Sequence, residues 1–346
     1  MVLRSRERGR VGRRRHLLAK SPIAPRSGIL RVWLVRPEFL APTAPILSAP
    51  MPHAGIVTVV GKPNAGKSTL LNRIVGEKLS IVSPKPQSTR NRIVGIHTTT
   101  EAQFIVLDTP GLLNPRYALQ AAMRATALAA LDDADVVLYL VDAVEAERHG
   151  VTPLAEAAML DMPPRAPVIT ALNKIDLLSP QARAALGARF PESALVSAVS
   201  GDGVDDLMAR LGHQLPESPF LYPEDEISTQ TVRFFVTELV RETALEQLED
   251  EVPYSVACEV EEFREQQSPV YIRAVLYVER ETQKQILIGA GGQRIRAIGR
   301  AARAKIEALV GASVYLDLWV KVLPNWRRKI RALQRFGYNI PEDRSS

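Results

Sequence analysis

A chain of 346 residues with 46% hydrophobic and 24% charged side chains has enough apolar material for two packed cores, at about 150 residues per domain, and no run of about 18 apolar residues that would cross a membrane. Its single cysteine, Cys258, excludes an internal disulfide and reads as a small buried apolar residue in a reducing compartment. The net charge of +6 is concentrated, since residues 1–50 hold 11 Lys/Arg against Glu7 and Glu38 while the rest of the chain is slightly acidic, so a nucleic-acid surface needs a local patch.

Residues 1–50 open with an Arg-rich run that includes Arg13, Arg14 and Arg15, and continue as apolar fragments broken by Pro37, Pro42, Pro45 and Pro50. No helical or strand period persists. The segment is expected to be a basic disordered extension, or sequence upstream of a start at Met51; a targeting peptide and an arm for RNA or a membrane surface are the other readings its composition allows. From Ile56 onward, apolar runs at 56–60, 104–107, 136–141, 168–172 and 194–196, with a further strand candidate at 92–97, alternate with helical stretches such as the alanine-rich 118–131. That alternation predicts an α/β domain with a mostly parallel sheet covered on both faces. Pro216, Pro219 and Pro223, followed by Glu224, Asp225 and Glu226, predict a linker. Beyond it, 231–248 reads as a helix, 254–263 and 270–278 as paired strands, 293–310 as a helix, 313–322 as a strand and 326–336 as a basic helix, which together make a small α+β module. The expected domains are 1–50, 51–222 and 223–346.

Gly61-Lys62-Pro63-Asn64-Ala65-Gly66-Lys67-Ser68 fits G-x-x-x-x-G-K-[ST] between a strand and a helix. Glycines let the backbone wrap phosphates, so that N–H groups and the helix N-terminus, through Ala65, Gly66 and Thr69, face the negative charge. Lys67 is expected to reach the β- and γ-phosphates and Ser68 to ligate Mg²⁺. Asp108-Thr109-Pro110-Gly111 follows a strand; Asp108 supplies the Mg²⁺ shell, through water, and Gly111 presents its N–H to the γ-phosphate. Asn173-Lys174-Ile175-Asp176 selects the base, because the Asp176 carboxylate accepts two hydrogen bonds that guanine offers and adenine lacks. Asn173 is placed for N7, the stem of Lys174 for the ring face, and the backbone of Ser197 and Ala198 for O6.

In the second module Gly289-Ala290-Gly291-Gly292 follows Ile286-Leu287-Ile288 and precedes an amphipathic helix, which is the loop by which KH domains approach a nucleic-acid backbone. Residues 226–283 carry 5 basic and 13 acidic groups, whereas 284–335 carry 12 basic groups and only Glu307 and Asp317 as acids. Such a stripe suits phosphate attraction. The candidate RNA contacts are Lys284, Ile288, Gly289, Ala290, Gly291, Gly292, Arg294, Arg296, Arg300 and Arg303, with Lys305 nearby. Ile288, Ile295 and Ile298 read equally well as groove or as core.

These motifs, with Gln87-Ser88-Thr89-Arg90 and Leu318-Trp319-Val320-Lys321-Val322, resemble the Era-type GTPases of the translation-factor-related class, over about 290 residues that exclude the first 50. The resemblance implies a P-loop GTPase domain followed by a type II KH-like domain. It also implies GTP and GDP as ligands, Mg²⁺ as cofactor, and the small ribosomal subunit with its ribosomal RNA as partner. Lys67, Thr89 and Gly111 become the catalytic candidates, with Thr89 (Ser88 as the alternative) sensing Mg²⁺ and the γ-phosphate, although the family pattern has a threonine where Ser88 stands. Leu112 occupies the position of the water-orienting glutamine of Ras-like enzymes, so intrinsic turnover is expected to be slow. Relatives that depend on potassium point to Asn64 as a K⁺ ligand, the plain alternative being a turn cap. Arg90 as an internal arginine finger is a further reading. A cytoplasmic monomer with peripheral contact at the inner membrane face is expected, or a mitochondrial protein if residues 1–50 are a targeting segment.

Overall fold

The computed structural model of the chain describes residues 2–4 and 51–340. The elements run β1 (Val2–Arg4), β2 (His53–Val60), α1 (Lys67–Val75), β3 (Ile93–Thr98), β4 (Ala102–Asp108), α2 (Ala118–Asp132), β5 (Val136–Asp142), α3 (Ala143–His149), α4 (Leu154–Ala157), β6 (Val168–Asn173), α5 (Pro180–Arg189), β7 (Ala194–Val196) and α6 (Val204–Gly212). After a break come β8 (Glu226–Thr231), α7 (Val232–Gln247), α8 (Val252–Ser255), β9 (Ala257–Arg264), β10 (Val270–Val278), α9 (Glu281–Ile288), α10 (Gln293–Val310), β11 (Val314–Val322) and α11 (Ile330–Arg335). The readings of disorder, targeting and membrane or RNA attachment for residues 1–50 lie outside the described residues, apart from the backbone of β1, which pairs antiparallel with β8.

The first module is a six-stranded sheet in the order β3-β4-β2-β5-β6-β7, parallel except for β3. Its central strands are apolar on both faces, and Val57, Val59, Val60, Leu138 and Leu140 are fully buried. That is why they read as continuous apolar runs rather than as alternating ones. Chain reversal across the sheet leaves the strand C-termini of β2, β4, β5 and β6 at one edge, where open α/β sheets bind ligands. The predicted linker leads into a strand that the sequence reading did not include, since β8 begins at Glu226. β8 runs beside the edge strand β3, and its side chains serve the exposed backbone: the Ser228 hydroxyl donates to the Val94 carbonyl (2.6 Å), while Gln230 accepts from the Val94 N–H (3.1 Å) and donates to the Arg92 carbonyl (3.2 Å). The sheet edge is thereby covered without a full ladder.

The second module is the sheet β11-β10-β9, with β10–β11 parallel and β9–β10 antiparallel, under α7, α9 and α10. The expected helix, paired strands, helix and strand are present in that order, with a further helix, α9, between β10 and α10 that the sequence reading did not include. Two further details differ. Residues 252–255 form the short helix α8 instead of the start of a strand, because Pro253 lies in a helical first turn and lacks the N–H a ladder needs. The expected basic helix at 326–336 is a 3₁₀ turn, Trp326–Arg328, followed by α11. The predicted helix at 231–248 begins one residue later, with Thr231 as its N-cap accepting from the Phe234 N–H.

The modules share a hydrophobic cluster. Leu119, Ala122 and Met123 of α2 meet Ala257, Val275, Tyr277, Trp326, Leu333 and Tyr338. Trp326 is 0% exposed, packs edge-on to Phe336 at 5.3 Å and donates its indole N–H to the Ser255 carbonyl at 2.8 Å. Truncating a buried tryptophan removes packing and orphans that carbonyl. Trp326→Ala should therefore lower unfolding stability by about 3–5 kcal/mol in denaturant titrations; a loss under about 1 kcal/mol would contradict a packed junction.

Candidate nucleotide site and nucleic-acid groove

The loop between β2 and α1 is followed directly by the helix, with Gly66 in a left-handed conformation at its N-cap. Lys67 is buried, and its ammonium donates to the carbonyls of Gly61 (3.1 Å) and Lys62 (3.0 Å). Burial lowers its pKa to about 8, against the opposing pull of the Asp108 carboxylate. Asp108, at the end of β4, is fully buried; burial raises its pKa, opposed by Lys67 and by the hydroxyls of Ser68, Ser80 and Thr89. Its Oδ2 accepts from Ser68 Oγ at 2.7 Å and from Thr89 Oγ1 at 3.3 Å, and the two hydroxyls lie 2.9 Å apart. Its Oδ1 has no hydrogen-bond partner among the described residues. A buried carboxylate oxygen without a partner calls for a cation. Two hydroxyls and one carboxylate are the hard-oxygen set that Mg²⁺ takes, so the residues present fit that ion. Of the two alternatives at the second element, the structure turns the Thr89 hydroxyl toward this cluster.

A cavity of about 350 Å³ lies over the loop, lined by residues that include Asn64, Gly66, Ser68, Thr69, Thr89, Gly111 and Lys174. Gly111 is where it is for a steric reason: a Cβ there would sit 2.8 Å from the Pro63 backbone nitrogen. Asn64 donates to the Pro84 carbonyl at 2.9 Å and so touches the segment that closes the cavity. Leu112 does not face the cavity. It is buried with Val60 and Tyr139 in the sheet core, while Leu113 lines the wall.

At the base end, Asn173 is a brace. Its amide donates to the Ala65 carbonyl (2.8 Å) and accepts from the Ala198 N–H (2.9 Å), tying the phosphate loop to the loop after β7. The expected backbone donors are partly committed: the Ser197 N–H donates to Asp202, and Ala198 would share its N–H between Asn173 and a base oxygen. Asp176 is exposed and accepts from the Ser197 hydroxyl at 2.6 Å, which aims the carboxylate. Sequence reasoning missed two supports. Asp142, paired in register with Asn173, holds the Lys174 ammonium at 2.7 Å and also caps α3. Arg73 grips the carbonyls of Ala198 and Val199. An acid at the C-terminal end of a central strand was the available signal for Asp142; nothing local marks Arg73.

In the second module, Gly289–Gly292 forms a tight turn between α9 and α10, with Gly289, Gly291 and Gly292 at φ values of 72°, 55° and 76°. Arg296 and Arg294 fold back on it, to the carbonyls of Gly291 (2.7 Å) and Ile286 (3.3 Å), and Lys284 lies 3.5 Å from Glu281. Beside the turn is a groove of about 340 Å³, whose lining includes Ile295, Arg296, Arg300, Arg303, Tyr315 and Leu318. Among the three isoleucines, Ile295 lines the groove, Ile298 is fully buried in the core, and Ile288 is half-buried off the groove wall. The basic stripe is thinner than its count, because Lys305 is drawn to Glu242 and Glu246, Lys321 to Glu261 and Arg327 to Glu279. The finger reading of Arg90 is overturned: it is 2% exposed and points into the second module, donating to the carbonyls of Val256 (2.7 Å) and Tyr254 (3.0 Å).

Residues 56–174 match the family model described as 50S ribosome-binding GTPase, and residues 251–327 match the KH domain model. The chain is 43% identical to the GTPase Era of Carboxydothermus hydrogenoformans, over 82% of this chain and 97% of that one. It is 41% identical to the GTPase Era of Lacticaseibacillus paracasei, over 84% and 98%. Two solved structures superpose with a TM-score of 0.73 at 37% identity. One is an Aquifex aeolicus Era variant bound to GDP·AlF₄⁻, covering 83% of this chain and all of that one. The other is Era in complex with MgGDPNP and nucleotides 1506–1542 of 16S ribosomal RNA, covering 84% and all of that chain. A GTPase domain, a KH domain and relatives matched over nearly their whole length place this chain in the Era family of GTPases.

Proposed function

We propose that this GTPase is a nucleotide-gated RNA-binding factor that engages the 3′ end of 16S ribosomal RNA through its KH domain during small-subunit assembly. The observation that carries the reading is the meeting of Ser68, Thr89 and Asp108 within 3.3 Å around a buried carboxylate, in a chain whose second module presents a glycine turn beside a basic groove. The relative solved with a 16S fragment and a GTP analogue in one complex supports the pairing of the two ligands.

The residues take the following roles. Backbone N–H groups of 61–69 and the Lys67 ammonium bind the phosphates. Ser68 and Thr89 would hold Mg²⁺, with Asp108 behind them, and the ion when bound would supply charge neutralisation at the phosphates. Gly111 approaches the γ-phosphate, Asp176 accepts from the guanine edge, and Asn173 keeps one N–H for N7. Hydrolysis removes the phosphate that holds Thr89, and the segment 83–90 relaxes. The chain acts as a monomer in the cytoplasm. Among the described residues no helix is long and apolar enough to cross a membrane; peripheral contact at the inner membrane face is the finer reading, and a mitochondrial location the alternative if residues 1–50 are a targeting segment.

The test is RNA affinity in the two nucleotide states. A 16S 3′ fragment should bind more tightly with GDPNP than with GDP; equal affinities would contradict the switch. Gly291→Asp should weaken RNA binding by about tenfold or more, since it adds an anion and forces a non-glycine residue to φ 55°, with guanine-nucleotide binding unchanged. Retained RNA affinity would move the groove elsewhere. With Leu112 unable to orient water, Asn64 is assigned to K⁺ beside the phosphates. Turnover should be faster in K⁺ than in Na⁺ and Asn64→Ala should erase the difference; equal wild-type rates in the two salts would remove the ion.

A further inference from the structure

The segment that carries Thr89 is held from outside the nucleotide domain. On one side, Arg241 of α7 donates its Nη2 to the Ser88 carbonyl at 2.5 Å. Its guanidinium is fixed in place by Glu238, with Nε and Nη2 on the two carboxylate oxygens at 2.9 and 2.5 Å, and both side chains are buried. On the other side, Arg90 reaches the carbonyls of Tyr254 and Val256 and lies 5.8 Å from the centroid of the Trp326 ring. Earlier in the same loop, the Lys85 ammonium closes on the carbonyls of Leu245 and Leu248 at the C-terminal end of α7, where a helix favours a cation. Thr89 thus sits between two residues whose backbone or side chain is clamped to the second module.

We propose that Arg241 is a positioning residue for the nucleotide site: by gripping the Ser88 carbonyl it keeps the Thr89 hydroxyl turned toward Ser68 and Asp108, so that the docked second module favours the GTP state over the GDP state. The inference rests on the GTP-switch reading and names the device that regulates it. A planar guanidinium with several donors is suited to this task, because it can satisfy both Glu238 oxygens and the carbonyl together. Glu242, the next residue of α7, is buried between Lys78 of the nucleotide domain (2.8 Å) and Lys305 of α10 (3.0 Å). The helix that starts at the glycine turn is therefore ion-paired to the same stretch of α7 that holds the switch. By reciprocity, whatever fixes α7 against the switch must raise GTP affinity as much as GTP strengthens that docking.

The experiment uses the full chain. Arg241→Lys keeps a charge beside Glu238 but cannot span its two oxygens and the Ser88 carbonyl at once. Calorimetry should show the Kd of Mg²⁺-GDPNP rising by about fivefold or more, with the Kd of GDP within about twofold of wild type. In a Thr89→Ala background the same substitution should add nothing, since the residue it positions is gone. Parallel weakening of both nucleotides, or no change in either, would overturn the role of Arg241. Should Arg241→Lys fail to fold by circular dichroism, Arg90→Lys decides by the same asymmetry. A wild-type chain that binds adenosine nucleotides as well as guanosine nucleotides would instead defeat the functional reading and this inference with it.

Discussion

A carboxylate with no exposure to solvent, one oxygen shared by two hydroxyls and the other without a hydrogen-bond partner among the described residues, is the constraint around which the nucleotide domain is organised. Burial disfavours the charged form of Asp108, and Lys67 nearby offsets only part of that cost. A divalent cation beside phosphates resolves the imbalance. It also explains why Ser68 and Thr89, which are far apart in sequence, converge. The sheet delivers Asp108 at the end of β4, the loop after β2 delivers Lys67 and Ser68, and the segment after α1 must fold over to deliver Thr89. Only the last of these is anchored from outside the nucleotide domain.

That anchoring makes the junction between the modules informative. The segment 83–90 makes charge-assisted hydrogen bonds with α7 and with the end of α8. Its two arginine-bearing links are buried, so water does not compete for them. Beside them, α2, which follows the Asp108–Gly111 turn, packs Leu119 and Met123 against Trp326, Leu333 and Tyr338. Both the Thr89 segment and the helix that follows Gly111 therefore abut the second module. A change at the proposed phosphate site would have two physical routes to the proposed groove, one through hydrogen bonds and one through apolar packing.

The parts of this arrangement that were legible in the sequence are those whose chemistry is encoded by spacing. The strand–loop–helix turn at Gly61–Ser68 is readable because its glycines, lysine and hydroxyl stand at fixed offsets, and the Asn173–Asp176 turn because it follows an apolar strand. The order of elements in the KH domain was readable from period and turn residues. What escaped was set by tertiary contact. Arg73 acts through the loop at Ala198 and no local pattern marks it, while Asp142 acts through Lys174 and is signalled only by its place at the end of a central strand. Arg90 read as a catalytic arginine because it follows Thr89, yet its side chain leaves the loop on the opposite side. Lys305 read as part of the basic stripe, yet it faces α7 rather than the groove. The direction of a side chain from a loop or a helix face depends on which element packs there, and the sequence does not state that.

The central claim is that loss of the γ-phosphate loosens the Thr89 segment and the α7–α8 surface together. Hydrogen–deuterium exchange of the full chain, with mass spectrometry of peptides spanning 83–91 and 252–258, measures both at once. Faster exchange of both peptides with GDP than with Mg²⁺-GDPNP is the expected result. Exchange that is the same in the two states, or that changes at 83–91 while 252–258 stays fixed, would show that the nucleotide and the KH domain are not joined through this contact.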